Sequence, residues 1–374
     1  MTAISVKPVA GSREERVFLR LPEALYRSDP HWVPPLWMAE KERLSARKNP
    51  FLSRVPHQKF IAWRADEPVG RVMAVDDPVH NEVHGDNLAF FGFFEAADAE
   101  VASELLEVVE AWARNRGRDA LRGPANPSLN DTCGFLADGF DDDPAMMMPY
   151  NPRVYLEWIE AAGYAKAKDL WAWKIDLTKG VNKRSRRILD RMDKRLDPAP
   201  VVRQLSKANF KDDMHIVRDI FIKCWSENWG FIPPTEEEFW HSAKDMKFII
   251  DWNMALMLEL DGVPVAMSIS LSDLHQVYKL IGGRLLPFGL LKLLRRRRYI
   301  NRGRMVLLGV LPEHRNKGLE LRLIADAIEN AATIGWQTGE CSWTLEDNDG
   351  VSKAISLVGG EHYKTYRMYE KPLP

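Results

Sequence analysis

Apolar and polar positions along the chain repeat one order of elements twice. Each copy begins with two apolar stretches that flank a short polar turn, a pattern that predicts a β-hairpin. The four stretches that form the two hairpins are 60–64, 68–75, 256–259 and 264–269. A further apolar strand follows each hairpin and ends near Gly92 in the first half and near Gly309 in the second.

A helix is predicted after each of these strands, because apolar residues recur at helical spacing. They are Val101, Leu105, Val108, Val109 and Trp112 in the first half, and Leu323, Ile324, Ala327, Ile328 and Ala331 in the second. Each helix is expected to end at a glycine, Gly117 or Gly335, as helix C-termini prefer. A strand, a second helix and a terminal strand follow in both halves. The fold class is therefore predicted as α/β with a mixed sheet, in two tandem domains.

The boundary between the halves is marked by a strongly basic, helix-compatible stretch, 182–195, that ends at Asp197-Pro198. We predict a first domain at 1–178, a basic linker at 179–200 and a second domain at 201–374. The alternative interpretation of the basic stretch is a solvated surface helix.

Composition excludes several classes of protein. Hydrophobic residues make up 45% and charged residues 28%, as in globular proteins. The net charge of -1 gives no general attraction to nucleic acid. Neither a signal peptide nor a transmembrane stretch is recognisable, and the 3 cysteines are scattered, so we expect a cytoplasmic protein without disulfides.

No metal site is expected. His80 and His84 bracket Glu82 in an H-x-E-x-H arrangement, which is not a zinc-protease pattern and lacks an evident third ligand.

The segment 310–319 connects an apolar strand to an amphipathic helix and has the chemistry of an anion site. Gly318 lets the backbone approach a ligand closely, and the N–H groups at a helix N-terminus favour an anion. Arg315 and Lys317 add positive charge. The structural alternative is an ordinary strand-to-helix turn.

This segment resembles motif A of the GNAT acyltransferases, in which R/Q-x-x-G-x-G/A holds the pyrophosphate of an acyl-coenzyme A. The order of elements in both halves also looks like GNAT. The resemblance implies that acyl-CoA binds in the second half. The implied coenzyme-binding residues are Leu308, Val310, Arg315, Asn316, Lys317, Gly318, Leu319, Glu320 and Asn348.

Two departures from the GNAT pattern stand out. Glu320 occupies the place of the last glycine or alanine of motif A, and its carboxylate would repel a pyrophosphate unless it points outward. GNAT enzymes often use a tyrosine in the last helix to protonate the leaving thiolate, but Ile355 stands at the matching place. Tyr363 is nearby in sequence and is the candidate for that role.

A narrower resemblance rests on the segments 29–36, 92–95 and 123–128. They resemble a bacterial branch of GNAT-like proteins to which bacterial ceramide synthases are similar. That resemblance implies that the acceptor amine is a long-chain lipid base.

The first half is expected to bind no coenzyme and to shape the acceptor site. Three carboxylates, Glu95, Asp98 and Glu100, stand where its phosphate loop would be. Its long loop contains Asn126, Asn130 and Asp131; we expect the two asparagines to bind the acceptor's polar head and Asp131 to be a secondary candidate base. Local Asx turns are the structural alternative.

A second acceptor segment is predicted at 224–235. Glu227 is the candidate general base, because an amine must lose a proton to form an amide. Trp225 and Asn228 are expected to contact the acceptor. The alternative is a helix-end loop whose tryptophans pack in the core.

The stretch 284–304 is an addition to the second copy, since Val265 and Gly309 are 44 positions apart against 23 between Val69 and Gly92. It is apolar and then basic, with no acid. We expect peripheral contact with an anionic membrane, on its inner face. A basic surface helix whose leucines pack on the core is the alternative, and no nucleic-acid-binding module is recognisable.

Three functions remain open from these patterns. The first is transfer of an acyl group from acyl-CoA to the amine of a lipid base by direct attack. The second is acetyl transfer to a small soluble amine or a peptide. The third is a GNAT-shaped binding protein without turnover, which Glu320 and Ile355 keep in view.

Overall fold

A computed structural model describes residues 3–374, apart from the side chains of Asp245 and Phe248. The helices are α1 (Ser12–Leu25), α2 (Trp37–Arg43), α3 (Pro50–Arg54), α4 (Pro78–His84), α5 (Ala99–Arg114), α6 (Val154–Ala161), α7 (Lys183–Arg195), α8 (Phe210–Trp225), α9 (Glu236–Ile249), α10 (His275–Ile281), α11 (Gly289–Leu294), α12 (Leu319–Thr333) and α13 (Asp349–Leu357). The strands are β1 (Ile4–Pro8), β2 (His57–Arg64), β3 (Glu67–Val75), β4 (Leu88–Ala96), β5 (Ala120–Gly123), β6 (Ala125–Asn126), β7 (Thr132–Cys133), β8 (Phe135–Asp138), β9 (Ala165–Asp176), β10 (Val201–Gln204), β11 (Ile250–Leu260), β12 (Val263–Ser272), β13 (Arg302–Val310), β14 (Thr338–Leu345) and β15 (Glu361–Pro372).

The chain divides into two compact units, and neither is a continuous stretch of sequence. Unit 1 consists of the chain up to Asp169, Ile281–Gly289 and Thr365–Pro374. Unit 2 consists of Leu170–Leu280 and Leu290–Lys364. Most of β9 therefore belongs to unit 2, although it follows the first half in sequence. Most of β15, the last strand of the chain, belongs to unit 1.

Unit 1 is built on a mixed sheet in which β1, β2, β3 and β4 pair antiparallel in that order. β4 and β5 pair in parallel, over Leu88–Phe90 only. The end of β15 completes the sheet by pairing antiparallel with β5 and with β8. The apolar face of α5 packs on these strands and closes the core of the unit.

Unit 2 repeats this plan. β10, β11, β12 and β13 pair antiparallel, β13 pairs in parallel with β14, and β14 pairs antiparallel with β9. α12 packs against β11, β12 and β13, and α8 packs against β12 and β13. Both hairpins, the helix after each central strand and the mixed α/β fold class agree with the sequence predictions.

The basic stretch between the halves is the helix α7. The Asn182 side chain caps its N-terminus by accepting a hydrogen bond from the Ser185 backbone N–H at 2.9 Å. Three side chains at helical spacing, Ser185, Leu189 and Met192, are buried. α7 thus packs on unit 2, against α12, through one stripe and leaves its charges outside.

Candidate functional site

β13 and β14 diverge in unit 2, and this divergence opens the candidate coenzyme site. The two strands pair from Arg302 to Met305, and no pairing is recorded for the residues beyond Met305 towards β14. The register between β12 and β13 shifts at the same level. The side chains of Val306, Leu307 and Leu308 are only half-buried. One edge of β13 is therefore free to hydrogen-bond an extended ligand.

The loop that follows β13 ends at the bare N-terminus of α12. Gly318 precedes the helix with φ 81°, in the left-handed region that favours glycine, and no side chain caps the first turn. Unpaired N–H groups and the helix dipole make this turn attractive to a phosphate. A Cβ on Gly318 would lie 3.2 Å from the sulfur of Met192 on α7, so space here is limited.

Motif A residues are partly used for structure. Arg315 donates from Nη2 to the Cys224 carbonyl at 3.1 Å and from Nε to the Val310 carbonyl at 3.5 Å. These bonds tie the loop to the ends of α8 and β13. Lys317 Nζ lies 3.2 Å from His314 Nδ1.

The remaining residues of the implied coenzyme set lie at the starts of two helices, α12 and α13. Leu319 is buried, Glu320 is half-buried in the first turn of α12, and Asn316 is exposed with φ 62°. The Asn348 side chain accepts from the Val351 N–H at 3.3 Å and caps α13.

The corresponding region of unit 1 is closed by its own side chains. Asp98 caps α5 by accepting from the Val101 N–H at 3.1 Å, and Arg64 pairs with the same carboxylate at 2.8 Å. A Cβ on Gly92 would lie 1.7 Å from the Ala125 carbonyl oxygen, and every residue of β4 is buried. This closure is a physical reason to expect the coenzyme in unit 2 alone.

The long loop of unit 1 holds its predicted acceptor residues in local contacts. The Asn126 side chain accepts from the Phe93 N–H, and the Asn126 carbonyl accepts from Arg43 at 3.3 Å. Ser128 donates to the Asp131 carboxylate at 2.7 Å and accepts from the Asn130 N–H at 3.2 Å. Ser128 thus forms a local serine turn, which holds Asn130 and Asp131 in place; the acceptor roles of these residues stay predictions.

The segment after α8 lies at the open end of β13. Trp225 packs against Gly309, where a Cβ would come within 2.7 Å of its ring. Asn228 continues the turn by donating its N–H to the Trp225 carbonyl at 2.8 Å. Glu227 is exposed and, within residues 3–374, has no recorded hydrogen bond or ion pair.

A buried polar cluster lies where β13 and β14 begin to diverge, and the sequence analysis did not identify most of it. The Glu340 side chain, 1% exposed, accepts hydrogen bonds from Ser342 Oγ and from the Tyr363 hydroxyl. Arg304 donates from Nε to Ser342 Oγ at 2.7 Å and lies 3.7 Å from Glu340. Tyr363, a predicted catalytic residue, thus belongs to a carboxylate–hydroxyl–guanidinium network, called here the Glu340 cluster.

Arg302 extends the network along β13. It donates to the Asp273 carboxylate at 2.5 Å. Burial opposes its charge, but Asp273 and Glu340 outweigh burial and raise the pKa of Arg302. The signal for this cluster in the sequence is polar residues at alternate positions of an otherwise apolar strand, Glu340, Ser342 and Thr344.

Cysteine chemistry is disfavoured in this region. Burial raises the pKa of Cys224 to about 11 and that of Cys341 to about 12. At neutral pH both are thiols, which are poor nucleophiles. Cys133 is also buried.

Metal clusters and membrane-spanning helices are both absent from the part of the chain that the structure describes. No group of three His, Cys, Asp or Glu side chains there is placed to hold a metal ion. No helix there has both the length and the apolar character that crossing a bilayer requires.

No family model matches the chain. Known proteins do match it over nearly its whole length. It is 34% identical to the bacterial ceramide synthase of Caulobacter vibrioides, over 99% of this chain and 98% of that protein. It is 33% identical to protein YghO of Escherichia coli, over 98% of this chain and 95% of that protein.

Solved structures show the same fold at low sequence identity. A tandem GNAT protein from the clavulanic acid biosynthesis pathway superposes with a TM-score of 0.60 at 11% identity, over 100% of this chain and 99% of the other. A GCN5-related N-acetyltransferase from Sphaerobacter thermophilus gives 0.55 at 12% identity, over 99% and 96%. The tandem GNAT fold that the sequence predicts is thereby confirmed.

Proposed function

The chain belongs to the family of the bacterial ceramide synthase, has the tandem GNAT fold and is an N-acyltransferase, and on that premise we propose the reaction in detail. An acyl group moves from acyl-CoA to the amine of a long-chain lipid base. Acyl-CoA binds in unit 2 alone, and unit 1 serves acceptor recognition.

The observation that carries this proposal is the contrast between the two copies of one plan. In unit 2 the strand edge beyond Met305 is open and the first turn of α12 is uncapped. In unit 1 the equivalent helix is capped by Asp98 and the equivalent strand is wholly buried. An extended arm with a pyrophosphate fits the first arrangement and not the second, since both backbone edge and helix N–H groups are available only there.

The proposed chemistry is direct attack. The amine nitrogen forms a bond to the thioester carbonyl carbon, the C–S bond breaks, and the amide nitrogen loses a proton. The thiolate that leaves takes up a proton. Tyr363 is half-buried and its hydroxyl bonds Glu340, so it can exchange a proton with a reacting group and with that carboxylate.

Two carboxylates outside the Glu340 cluster are also candidates for the general base that accepts the amine proton. Glu227 is exposed beside Trp225 at the end of β13, which leaves it free to meet an incoming amine. Asp131 is held by Ser128 in unit 1. The Glu340 cluster holds its carboxylate and hydroxyl in a hydrogen-bonded network that can keep a proton in place.

The lipid nature of the acceptor is supported by two observations. One is the relative's name, bacterial ceramide synthase. The other is the segment 284–304, where Leu286, Phe288 and Leu294 are 78%, 69% and 70% exposed. Apolar side chains next to arginines suit the interface of an anionic membrane, where a lipid base resides.

Purified protein tests the proposal directly. It would be incubated with a long-chain acyl-CoA and a long-chain amino-alcohol base in mixed micelles, and the amide measured by mass spectrometry alongside free thiol. Ethanolamine and a lysine peptide serve as soluble acceptors. Amide from the lipid base is expected; amide from the soluble amines alone would overturn the lipid assignment, and thiol release with no acceptor used would overturn transfer to an amine.

A further inference from the structure

The last turn of α7 lies beside the bare N-terminus of α12, within unit 2. A Cβ on Gly318 would lie 3.2 Å from the sulfur of Met192. Asp193 accepts a hydrogen bond from Arg322 Nη1 at 2.8 Å. At the start of α7, Arg186 forms an ion pair at 2.9 Å with Glu329, near the end of α12. The two helices therefore run antiparallel, with the end of α7 level with the start of α12.

One flank of α7 is a row of positive charge, and Asp190 lies at its edge, one turn from Arg187 and Lys194. At 100° per residue, the contacts of Arg186 and Asp193 with α12 fall on one side of the buried stripe. Five residues fall on the other side: Arg184, Arg187, Arg191, Lys194 and Arg195. All five are exposed, and none has a recorded hydrogen bond or ion pair in the part of the chain that the structure describes. This row is called the cationic stripe.

The loop from Leu311 to Gly318 and the first turn of α12 have no net positive charge, because Glu313 and Glu320 balance Arg315 and Lys317. Arg315 is bonded to two backbone carbonyls, and Lys317 lies against His314. Glu320 adds a negative charge within the first turn of α12. The Glu320 carboxylate would repel the phosphates of a ligand bound here, because both are negatively charged. A ligand with several phosphates therefore needs cations from outside the loop.

We propose that Arg191, Lys194 and Arg195, the end of the cationic stripe, bind the 3′-phosphate of the coenzyme. The inference rests on the proposed binding of acyl-CoA at Gly318. The 3′-phosphate is the part of coenzyme A that projects away from the pyrophosphate, so it calls for cations adjacent to the helix N-terminus rather than in the loop. Exposed guanidinium and ammonium groups that lack an acid partner supply them.

The test compares coenzyme A with dephospho-coenzyme A, which lacks only the 3′-phosphate, by isothermal titration calorimetry on the whole chain. The variant is R191Q/K194Q/R195Q. The matched control is K183Q/R184Q/R187Q, which removes the same charge from the same helix about 13 Å away, at 1.5 Å per residue. Circular dichroism checks that both variants are folded.

The wild type is expected to bind coenzyme A more tightly than dephospho-coenzyme A. The first variant should lose roughly 10-fold in affinity for coenzyme A and bind the two ligands alike, because each exposed ion pair contributes little alone. The control variant should keep most of the difference. Equal loss for both ligands, or no loss in the first variant, would overturn the inference.

The experiment also distinguishes two other outcomes. One is failure of the proposed function, and the other is contact of the cationic stripe with a membrane. If neither ligand binds the wild type, the proposed function fails rather than the role of α7. If the first variant keeps the coenzyme discrimination but no longer sediments with anionic vesicles of phosphatidylglycerol and phosphatidylcholine, the stripe contacts membrane and the inference is wrong.

Discussion

At the residue scale, Gly318 has the most restricted backbone position in the proposed coenzyme site. Its left-handed φ strains any side chain, and the sulfur of Met192, 3.2 Å from where a Cβ would lie, limits the space for one. We expect Gly318→Asp to abolish acyl-CoA binding in calorimetry, because it adds both bulk and negative charge beside the phosphates. Gly335→Asp is the control, since Gly335 also has φ 81° but has open space around it, at the far end of α12. The control should bind normally and lose about 1 kcal/mol of stability; retained affinity in Gly318→Asp would contradict the site.

The Glu340 cluster makes a separate prediction about the proton. Tyr363→Phe and Glu340→Gln should each lower kcat by roughly 10²-fold, a typical contribution of general acid–base help, with KM for acyl-CoA little changed. The pH dependence of kcat should flatten in both. Glu227→Gln and Asp131→Asn are the comparison variants. If they, and not the first pair, lower kcat and alter the pH profile, the proton is handled at the other acids.

His80 gives unit 1 a pH-dependent stability. Burial, followed by the neighbouring His84 and Arg122, lowers the pKa of His80 to about 4, against the bond to Asp86 that favours its charge. The ring is therefore neutral in the folded protein at pH values where the unfolded chain already binds a proton. Its stabilising contribution is complete above about pH 6.5 and is lost as the pH falls towards 4.

The measurement is urea unfolding of the wild type and His80→Gln between pH 7.5 and 4.5. The wild type should lose up to about 3 kcal/mol more than the variant over this range. His215→Gln, on α8 in unit 2, is the control and should follow the wild type. Parallel loss in wild type and His80→Gln would show that other groups govern acid unfolding.

At the scale of elements, the exposure of side chains in the segment 284–304 bears on two interpretations that the sequence left open. Leu290, Leu291 and Leu294 are 44%, 53% and 70% exposed, so these leucines are not core residues of α11. Among the basic residues, Arg297 pairs with Asp251 at 3.1 Å, and Lys292 donates to the Leu280 carbonyl. Exposed leucines therefore lie next to Arg295 and Arg298, whose side chains are exposed and have no recorded partner among the described residues.

We expect the protein to sediment with vesicles that contain anionic lipid. Changing Arg295–Arg298 to Gln should weaken this binding most at low salt, because salt screens charge. Leu291→Ser/Leu294→Ser should instead remove the binding that persists at high salt, since buried apolar area contributes roughly 25 cal/mol per Å². Neutral vesicles are the control. Equal, negligible sedimentation of all proteins would end the membrane interpretation and favour a soluble acceptor.

At the scale of the whole molecule, each unit is completed by chain from the other half of the sequence. The end of β15 pairs with β5 and β8, and Arg367 bonds Asp169 at 2.8 and 3.0 Å, all within unit 1. The fragment 1–178 lacks this strand. We expect it to unfold without a cooperative transition, because β5 and β8 lose their pairing and expose apolar surface.

The matched comparison is residues 1–178 joined by a Gly/Ser linker to residues 361–374. This version restores the strand and should unfold cooperatively in urea, followed by circular dichroism. Cooperative unfolding of both fragments would show that β15 is dispensable for unit 1.

What the sequence determined by itself is local. Hydrophobic periodicity over ten to twenty residues predicts the two hairpins and the helices that end at glycines. Backbone chemistry over a similar length predicts the turn at Gly318 that suits a phosphate. These features sufficed to predict the tandem α/β fold and the half of the chain with an open loop, because each depends on neighbours in sequence.

The tertiary structure alone decided which distant groups meet. The pairing of β15 with unit 1, the position of Met192 against Gly318 and the network of Glu340 with Tyr363 join residues far apart in the chain. Likewise, only packing tells whether the leucines after Leu286 are covered. Periodicity shows that a face exists, but long-range pairing selects its neighbour, and that choice placed the charges and hydroxyls of the candidate site.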